Sequence, residues 1–278
     1  FTLAAGIHEK VVEPETQFKN LEKSIQCGKN IISEYDKKIP SDLTAEQILI
    51  RSGNIGSVRI AQAIGLEKFK NFLNKLSLIS AIKFDIEEVG IPIPFRWGKC
   101  KLATTSYGHG ITTTILQLAN AYSIIVNGGY KINPTLIKKK SKIKNKKILN
   151  NDVSKKINPI LRKIVTTKEG TASLANVDGY QVGGKTGTAQ TSIIGGYSNK
   201  KINTFASVFP SSNPKYVFIV MLDEPKTNSE YIYNYRDGSG IKYKGTPFNT
   251  AGWTSVEVVG QIIEKIGPIL ATKYNEVY

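Results

Sequence analysis

One short string in the second half of the chain, Gly183-Gly-Lys-Thr-Gly-Thr-Ala189, combines a lysine with threonines and glycines. At roughly one in twenty per residue type, the letters Lys-Thr-Gly-Thr occur by chance about once in 160,000 positions. A lysine flanked by threonine hydroxyls offers a fixed cation and two hydrogen-bonding groups for a carboxylate, and the glycine between the threonines lets a ligand backbone approach closely. The alternative interpretation is an exposed edge strand with ordinary turn residues. The predicted carboxylate-binding residues are Lys185, Thr186, Gly187 and Thr188.

A second motif is the triplet Ser52-Gly53-Asn54, which fits the pattern S-x-N. S-x-N and K-T-G resemble two of the three motifs that occur together in penicillin-binding proteins and serine β-lactamases, and the third is S-x-x-K. Ser211-Ser-Asn213 also fits S-x-N, but it lies downstream of Lys185 in a proline-flanked turn. Ser52 lies upstream, at a break between two predicted helices. We therefore predict Ser52, Asn54 and Lys185 as the catalytic residues.

The third element, S-x-x-K, gives a different result. It matches five times, with serines at positions 80, 141, 198, 212 and 239. In proteins that carry all three motifs, S-x-x-K comes first along the chain, but none of these matches precedes Ser52. The abundance of lysine accounts for all five. We interpret the five matches as coincidental.

The chain resembles the C-terminal part of a class B penicillin-binding protein, a peptidoglycan D,D-transpeptidase. Beside the Gly183–Ala189 string, the resemblance rests on Phe1-Thr-Leu-Ala-Ala5, Ser106-Tyr-Gly-His-Gly110, Tyr216–Pro225 and Thr250-Ala-Gly-Trp253. It is greatest for the cell-division (septal) branch. In this family S-x-x-K comes first along the chain. We therefore expect the nucleophilic serine and its lysine upstream of Phe1, and we expect this chain, which has no initiator Met, to be a fragment that starts just after that motif.

The resemblance implies acyl transfer through a covalent serine intermediate. The missing serine would attack the penultimate D-alanine carbonyl of a stem peptide, Ser52 would relay the proton, and Asn54 would orient the missing lysine and bind the substrate amide. Lys185, Thr186 and Thr188 would hold the terminal carboxylate, and the backbone N–H of Thr188 would supply half of an oxyanion hole.

The same resemblance implies no cofactor. The implied partners are peptidoglycan stem peptides, β-lactams, a septal glycosyltransferase and divisome proteins. It places the protein at the periplasmic face of the bacterial inner membrane. No segment reaches the roughly 18 apolar residues of a membrane span, so a single-pass anchor would lie outside this chain.

Composition excludes several other classes of protein. The 278 residues include 38 Lys and Arg against 22 Asp and Glu, a formal charge of +16, with 40% hydrophobic and 22% charged residues. These proportions argue against intrinsic disorder, collagen and coiled coil. Residues 138–147 are rich in lysine, but no aromatic residue interleaves them to stack bases, so we predict a solvated loop and no nucleic-acid partner.

Cysteine and histidine are rare in this chain. Cys27 and Cys100 have no C-x-x-C or Cys/His spacing, which excludes a zinc framework and a disulfide scaffold, and we interpret both as small apolar residues. His8 and His109 give neither a His-rich metal site nor a Ser-His-Asp triad. We predict no metal.

Periodicity predicts helices first and strands later, an α+β arrangement. The predicted helices are Phe1–Glu9, one that starts at a Thr44–Gln47 capping box and ends near Arg51, Ile55–Gly65, Leu66–Leu76, Thr112–Val126 and Trp253–Leu270. The predicted strands are Tyr180–Thr188, Thr204–Phe209 and Tyr216–Leu222. The resemblance implies the penicillin-binding protein transpeptidase and serine β-lactamase-like fold, an antiparallel sheet flanked by a helical subdomain. Residues 1–278 would form one truncated domain, with a helical part (1–130), a basic loop (131–157) and a part that contains the sheet and C-terminal helix (158–278).

Three rival functions remain open at this stage. A serine β-lactamase would use the same acylation residues, but the middle residue of the triplet is Gly53 and no E-x-x-L-N segment follows it before Lys185, so rapid deacylation is not expected. A non-catalytic β-lactam sensor would keep the pocket and use acylation as a signal. A basic nucleic-acid binder would show steep salt dependence.

Overall fold

Residues 1–98, 100–138, 145–193, 196–236, 238–245 and 248–274 are described by a computed structural model of the chain. The chain divides into two units, Phe1–Ile157 and Asn158–Tyr278. Most of the described helices lie in the first unit, and the second unit contains a three-stranded sheet. The predicted α+β class therefore agrees with the observed elements.

Most helices lie where the spacing of apolar residues predicts them. The predicted ends near Arg51, Gly65 and Leu76 are confirmed. The described helices are α1 (Thr2–His8), α2 (Ala45–Arg51), α3 (Asn54–Ile64), α4 (Leu66–Lys75), α5 (Lys101–Ser106), α6 (Ile115–Val126), α7 (Asn151–Thr166) and α8 (Ser255–Tyr274).

Two capping boxes determine where helices begin. The Thr44 hydroxyl accepts the N–H of Gln47 at 3.1 Å, and the Gln47 side-chain oxygen accepts the N–H of Thr44 at 2.8 Å. These bonds confirm the predicted start of α2. Thr114 and Gln117 make the same pair of bonds, at 3.1 and 3.0 Å. The helix α6 therefore starts after Thr114 and not at the predicted Thr112.

The strands are β1 (Gln17–Phe18), β2 (Ser24–Cys27), β3 (Asn30–Ser33), β4 (Leu43–Thr44), β5 (Gly183–Ile193), β6 (Gly196–Phe209), β7 (Tyr216–Asp223), β8 (Ile232–Asn234) and β9 (Lys242–Lys244). The main sheet has the order β5-β6-β7 and is antiparallel throughout, which confirms the predicted pairing. The first of these strands begins at residue 183, not 180, and continues to residue 193. Three two-stranded ladders, β1–β4, β2–β3 and β8–β9, are too short to show an alternating pattern and were not predicted.

The helix α8 packs against β6 and β7 and covers the sheet, as expected. Its fully buried residues Val256, Val259 and Ile263 recur at helical spacing. It starts at Ser255, after a 3₁₀ turn at Ala251–Trp253, and reaches Tyr274 rather than the predicted Leu270.

The predicted loop at 131–157 is wrong in its last part, because residues 151–157 form the start of α7. An apolar stripe supports this helix, with buried residues Val153, Ile157, Ile160, Leu161 and Ile164 at helical spacing. The surrounding lysines and an internal proline at position 159 obscured this stripe in the sequence. Residues 139–144 of the predicted solvated loop lie outside the described residues.

The interpretation of the two cysteines as small apolar residues is also wrong. Cys27 and Cys100 form a disulfide, with their Cα atoms 5.6 Å apart and a sequence separation of 73. The bond attaches the end of β2 to the residue that precedes α5. Sequence spacing cannot reveal such a pair, because the two residues meet only through the fold.

Close packing of α2 on α3 determines the geometry of the turn between them. A Cβ atom built on Gly56 of α3 would lie 2.5 Å from Cγ1 of Ile48 on α2. Ile48 is itself buried and β-branched, so it has little freedom to move away. Glycine at position 56 therefore allows the two helices to approach each other.

Gly56→Ala is expected to destabilise the protein. Overpacking against Ile48 costs about 1–3 kcal/mol, which exceeds the gain of roughly 0.5–1 kcal/mol from replacing glycine within a helix. Denaturant unfolding of the two proteins measures the difference. Gly98→Ala is the matched control, since a Cβ atom there meets nothing within 4 Å. An unchanged unfolding free energy for Gly56→Ala would contradict the packing argument.

Candidate active site

The predicted site residues fall into two groups. Ser52 and Asn54 lie where α2 meets α3 in the first unit, and the Lys185–Thr188 stretch lies on β5 in the second. The side chains that these groups offer are hydroxyls, one amide and one ammonium. Within the described ranges, no group of three or more His, Cys, Asp or Glu residues is placed to hold a metal ion.

Ser52 occupies the left-handed region of backbone conformation, with φ +58° and ψ +41°. Its N–H donates to the carbonyl of Leu49 at 3.3 Å, and the N–H of Gly53 donates to that of Ile48 at 2.9 Å. These bonds close the C-terminus of α2. Gly53 is extended and serves as the N-cap of α3, so the two helices are separated by only two residues. This tight turn places Ser52 on the exposed surface.

Asn54 is held through both its backbone and its side chain by the end of β3. Its side-chain amide donates to the carbonyl of Ser33 at 2.9 Å, and its N–H donates to Oε2 of Glu34 at 2.7 Å. The N–H of Ile55 donates to Oε1 of the same carboxylate at 2.8 Å. Sequence reasoning missed Glu34, because no local pattern connects it to a triplet that lies about twenty positions later.

The second group lies on a strand at the edge of the main sheet. Among the described strands, β5 pairs only with β6, with Lys185 opposite Ala206 and Thr188 opposite Asn203. Half of the backbone N–H and C=O groups of an edge strand point away from the sheet. An extended ligand could therefore align beside this strand and form main-chain hydrogen bonds with it.

Two glycines of this strand have different physical roles. A Cβ atom on Gly184 would lie 2.6 Å from both the carbonyl oxygen of Ala206 and the ring of Phe205, so packing within the chain requires glycine there. A Cβ atom on Gly187 would meet only the carbonyl oxygen of Thr204, at 4.0 Å. The described neighbours leave space for a side chain at position 187, which suits the approach of a ligand from outside.

Lys185 supplies the positive charge of this group. Its side chain is half-buried, and its ammonium donates to the carbonyl of Thr186 at 2.9 Å. Burial lowers the pKa of Lys185 from 10.5 to about 8. At neutral pH the ammonium form still dominates, and an anion bound beside it would favour that form further.

The two threonines that flank Gly187 are fixed by residues behind the strand. The hydroxyls of Thr186 and Thr171 are 2.7 Å apart, and the hydroxyl of Thr188 accepts the N–H of Ala251 at 3.0 Å. The segments that contain Thr171 and Ala251 also pack against each other, since a Cβ atom on Gly252 would lie 2.7 Å from the carbonyl oxygen of Thr171. Both threonine side chains therefore have defined positions.

A buried asparagine reinforces the same end of the sheet. Asn203 lies on β6 opposite Thr188, and its side-chain amide donates to Asn249 Oδ1 and to the Thr254 hydroxyl, each at 2.9 Å. Asn203 is 0% exposed. Neither Asn203 nor Thr171 was identified from the sequence, because a polar residue that supports a site across a sheet has no spacing signal.

A family model described as penicillin binding protein transpeptidase domain matches residues 1–239. The chain belongs to this family. The matched stretch contains all six predicted site residues. It also confirms the expected fold, an α+β transpeptidase domain with an antiparallel sheet.

Curated relatives of this transpeptidase domain carry consistent names. It is 28% identical to the probable peptidoglycan D,D-transpeptidase FtsI of Caulobacter vibrioides, over 98% of this chain and 46% of the relative. It is 29% identical to the probable peptidoglycan D,D-transpeptidase PenA of Neisseria flavescens, over 83% of this chain and 58% of the relative. The chain spans about half the length of such relatives.

Solved structures share the fold of this transpeptidase domain. The transpeptidase domain of Burkholderia pseudomallei penicillin-binding protein 3 superposes with a TM-score of 0.81 at 24% identity, over 97% of this chain and 77% of that one. Penicillin-binding protein 3 of Mycobacterium tuberculosis in complex with aztreonam superposes with a TM-score of 0.78 at 22% identity, over 99% of this chain and 61% of that one.

The stability of this transpeptidase domain is expected to depend on pH through Lys185. Its pKa is about 8 in the folded state and 10.5 in the unfolded chain. Between these values the unfolded state binds more protons, so the unfolding free energy rises with pH. The difference in unfolding free energy between wild type and Lys185→Met should therefore shift in favour of wild type from pH 8 to pH 10.5.

Denaturant titrations at several pH values across that range measure this difference. Lys242→Met removes an exposed lysine of β9 and serves as the matched control. Parallel pH profiles for wild type and Lys185→Met would show that the folded state does not disfavour the charged form of Lys185.

Proposed function

We propose that the protein containing this chain is a serine-type peptidoglycan D,D-transpeptidase, which cross-links stem peptides through an acyl-enzyme. The arrangement on β5 carries the proposal. A half-buried lysine, two positioned hydroxyls and an unobstructed glycine lie along an edge strand, which suits a peptide that ends in a carboxylate. Family membership and the names of the relatives support the reaction type.

Each predicted residue has a role in this reaction. Lys185, Thr186 and Thr188 hold the terminal carboxylate of the donor peptide, and Gly187 allows its backbone to lie close to the strand. The N–H of Thr188 stabilises the oxyanion of the tetrahedral intermediate, an interaction worth about 100- to 1,000-fold in rate. Ser52 relays the proton, and Asn54 orients the catalytic lysine and binds the substrate amide. The reaction needs no cofactor.

The nucleophile of the proposed reaction lies upstream of Phe1. No S-x-x-K precedes Ser52 within the 278 residues, and the relatives are about twice as long as this chain. The serine would attack the penultimate D-alanine carbonyl, release the terminal D-alanine, and pass the acyl group to an amine of a second stem peptide. The chain alone is therefore proposed to be inactive.

β-Lactams are the proposed inhibitors. Solved structures of Mycobacterium tuberculosis penicillin-binding protein 3 contain aztreonam and ampicillin. The acidic group of such a compound would occupy the carboxylate position beside Lys185, while its strained amide would acylate the serine.

The proposed location is the periplasmic face of the bacterial inner membrane, where peptidoglycan is assembled. The described part of the chain contains no helix that is long and apolar enough to cross a membrane. The proposal includes a single-pass membrane anchor outside this chain. It also includes a septal glycosyltransferase and other divisome proteins as partners. They follow from the resemblance to the septal branch.

Fluorescent penicillin tests the proposed reaction. The full-length protein is expected to form a covalent adduct that survives denaturing electrophoresis, and the 278-residue chain is expected to remain unlabelled because it lacks the nucleophile. Labelling of the short chain would refute the assignment of the serine to the upstream segment. A full-length adduct that disappears within seconds would favour a β-lactamase.

Ser52→Gly is expected to separate stability from activity. Glycine relieves a left-handed conformation that costs a non-glycine residue about 1–2 kcal/mol, so the unfolding free energy should stay unchanged or rise. Loss of the proton relay should slow acylation of the full-length protein by about 100-fold or more.

Ser77→Gly is the matched control, because Ser77 also has a positive φ, of +56°, and lies outside the site. This variant should show the same stability trend with unchanged acylation. If Ser52→Gly is labelled at the wild-type rate, Ser52 is not a relay.

A further inference from the structure

The start of α3 depends on a side chain from another part of the chain. The first amides of a helix have no partner within the helix, and the N-cap of α3 is a glycine with no side chain to offer. Both oxygens of Glu34 accept these amides, from Asn54 at 2.7 Å and from Ile55 at 2.8 Å. Glu34 is only 5% exposed, so these bonds lie in a low-dielectric setting where charged hydrogen bonds are strong.

The surroundings of this carboxylate are tightly packed. A Cβ atom on Gly53 would lie 3.0 Å from Cδ1 of Ile39 and 3.6 Å from Oε1 of Glu34. The neighbouring Ser33 carbonyl accepts the side-chain amide of Asn54 at 2.9 Å. The position of Asn54 relative to α2 is therefore determined by the backbone position of residues 33 and 34.

Residues 33 and 34 belong to a small hairpin. β2 and β3 pair over four residues each, and the N–H of Glu34 donates to the carbonyl of Lys23 at 3.0 Å. A two-stranded hairpin of this length is marginally stable by itself. Nearby, Arg51 and Asp36 form an ion pair. It is partly solvent-exposed and therefore adds little to the stability of the hairpin.

The disulfide attaches the far end of this hairpin to the rest of the first unit. Cys27 is the last residue of β2 and lies opposite Asn30, next to the hairpin turn. Its bond to Cys100 restrains that turn directly in front of α5. The hairpin is thus held at its turn by a covalent bond and at its open end by hydrogen bonds to α3.

We propose that Glu34 is a positioning residue for the Ser52-Gly53-Asn54 turn, and that the Cys27–Cys100 disulfide maintains Glu34 in its place. The proposal rests on the proposed transpeptidase function. Glu34 does not touch substrate; it acts through Asn54 and the first turn of α3. An error of about 1 Å in the position of a catalytic group can cost roughly 100-fold in rate.

The test is the rate constant for acylation of the full-length protein by fluorescent penicillin. In Glu34→Gln the amide nitrogen would face one of the two backbone N–H groups, so one hydrogen bond is replaced by a repulsive contact. A fall of at least tenfold is expected. Glu22→Gln removes the same charge from an exposed ion pair with Arg59 in the same region and should change the rate less than twofold. The double variant Cys27→Ser/Cys100→Ser should lower the rate at least threefold.

A purely structural role is distinguished by combining variants. If Glu34 acts partly through Asn54, then Glu34→Gln should lower the rate by a smaller factor in an Asn54→Ala background than in the wild type. General destabilisation would reduce the rate by the same factor in both backgrounds. Equal factors, or a Glu34→Gln rate within twofold of wild type, would overturn the proposal.

Amide hydrogen exchange in the full-length protein provides a readout that does not depend on activity. The amides of Asn54 and Ile55 should exchange at least tenfold faster in Glu34→Gln, while later amides of α3 keep their rates. Unchanged exchange at both positions would refute the role of Glu34. If the wild-type protein does not react with penicillin, the proposed function fails, and the exchange rates still decide whether Glu34 holds the turn.

Discussion

The turn from α2 to α3 leaves backbone amides that neither helix can satisfy, and the architecture around it serves to satisfy them. Burying a carboxylate costs several kcal/mol, whereas a hydrogen bond to a charged group returns about 1.5–3 kcal/mol. One bond would not offset the burial of Glu34, but two bonds of 2.7 and 2.8 Å can. Because both bonds must form together, the hairpin that carries Glu34 has to be held in one position. The β2–β3 ladder and the Cys27–Cys100 disulfide both contribute to this.

The site residues on β5 are also held in one position by other parts of the chain. This strand is packed on one side and open on the other. Gly183 and Gly184 allow the start of the strand to lie against backbone atoms, since Cβ atoms there would be 3.0 Å from the nitrogen of Arg162 and 2.6 Å from the oxygen of Ala206. Further along, the hydroxyls of Thr186 and Thr188 are held from behind, and the space at Gly187 stays open. A strand fixed in this way presents donors in defined positions, which lowers the entropy lost when a ligand binds.

Features encoded within a few residues could be predicted from the sequence, and features that join distant segments could not. The capping box at Thr44, the paired strands and the Lys185–Thr188 group all follow from local spacing. Glu34 and the disulfide depend on contacts that only the tertiary fold creates. The helix α7 was not predicted for a different reason. Its charged residues and its internal proline obscured the helical spacing of its apolar residues in the sequence.

The left-handed conformation of Ser52 is not by itself a sign of function. Among the described residues, positive φ angles also occur at other non-glycine positions, namely Lys10, Asn20, Ser77, Gln181 and Glu224. The comparison with Ser77 shows what differs. After Ser77, the N–H of Leu78 donates to the carbonyl of Leu73 at 3.1 Å, which is an ordinary helix end. After Ser52, a new helix starts at once on a buried carboxylate supplied from elsewhere. An ordinary helix end like the one at Ser77 would be enough to close α2. The additional buried charge makes sense if the position of Asn54 itself has to be fixed, and it is this cost, more than the strained serine, that supports a functional role for the turn.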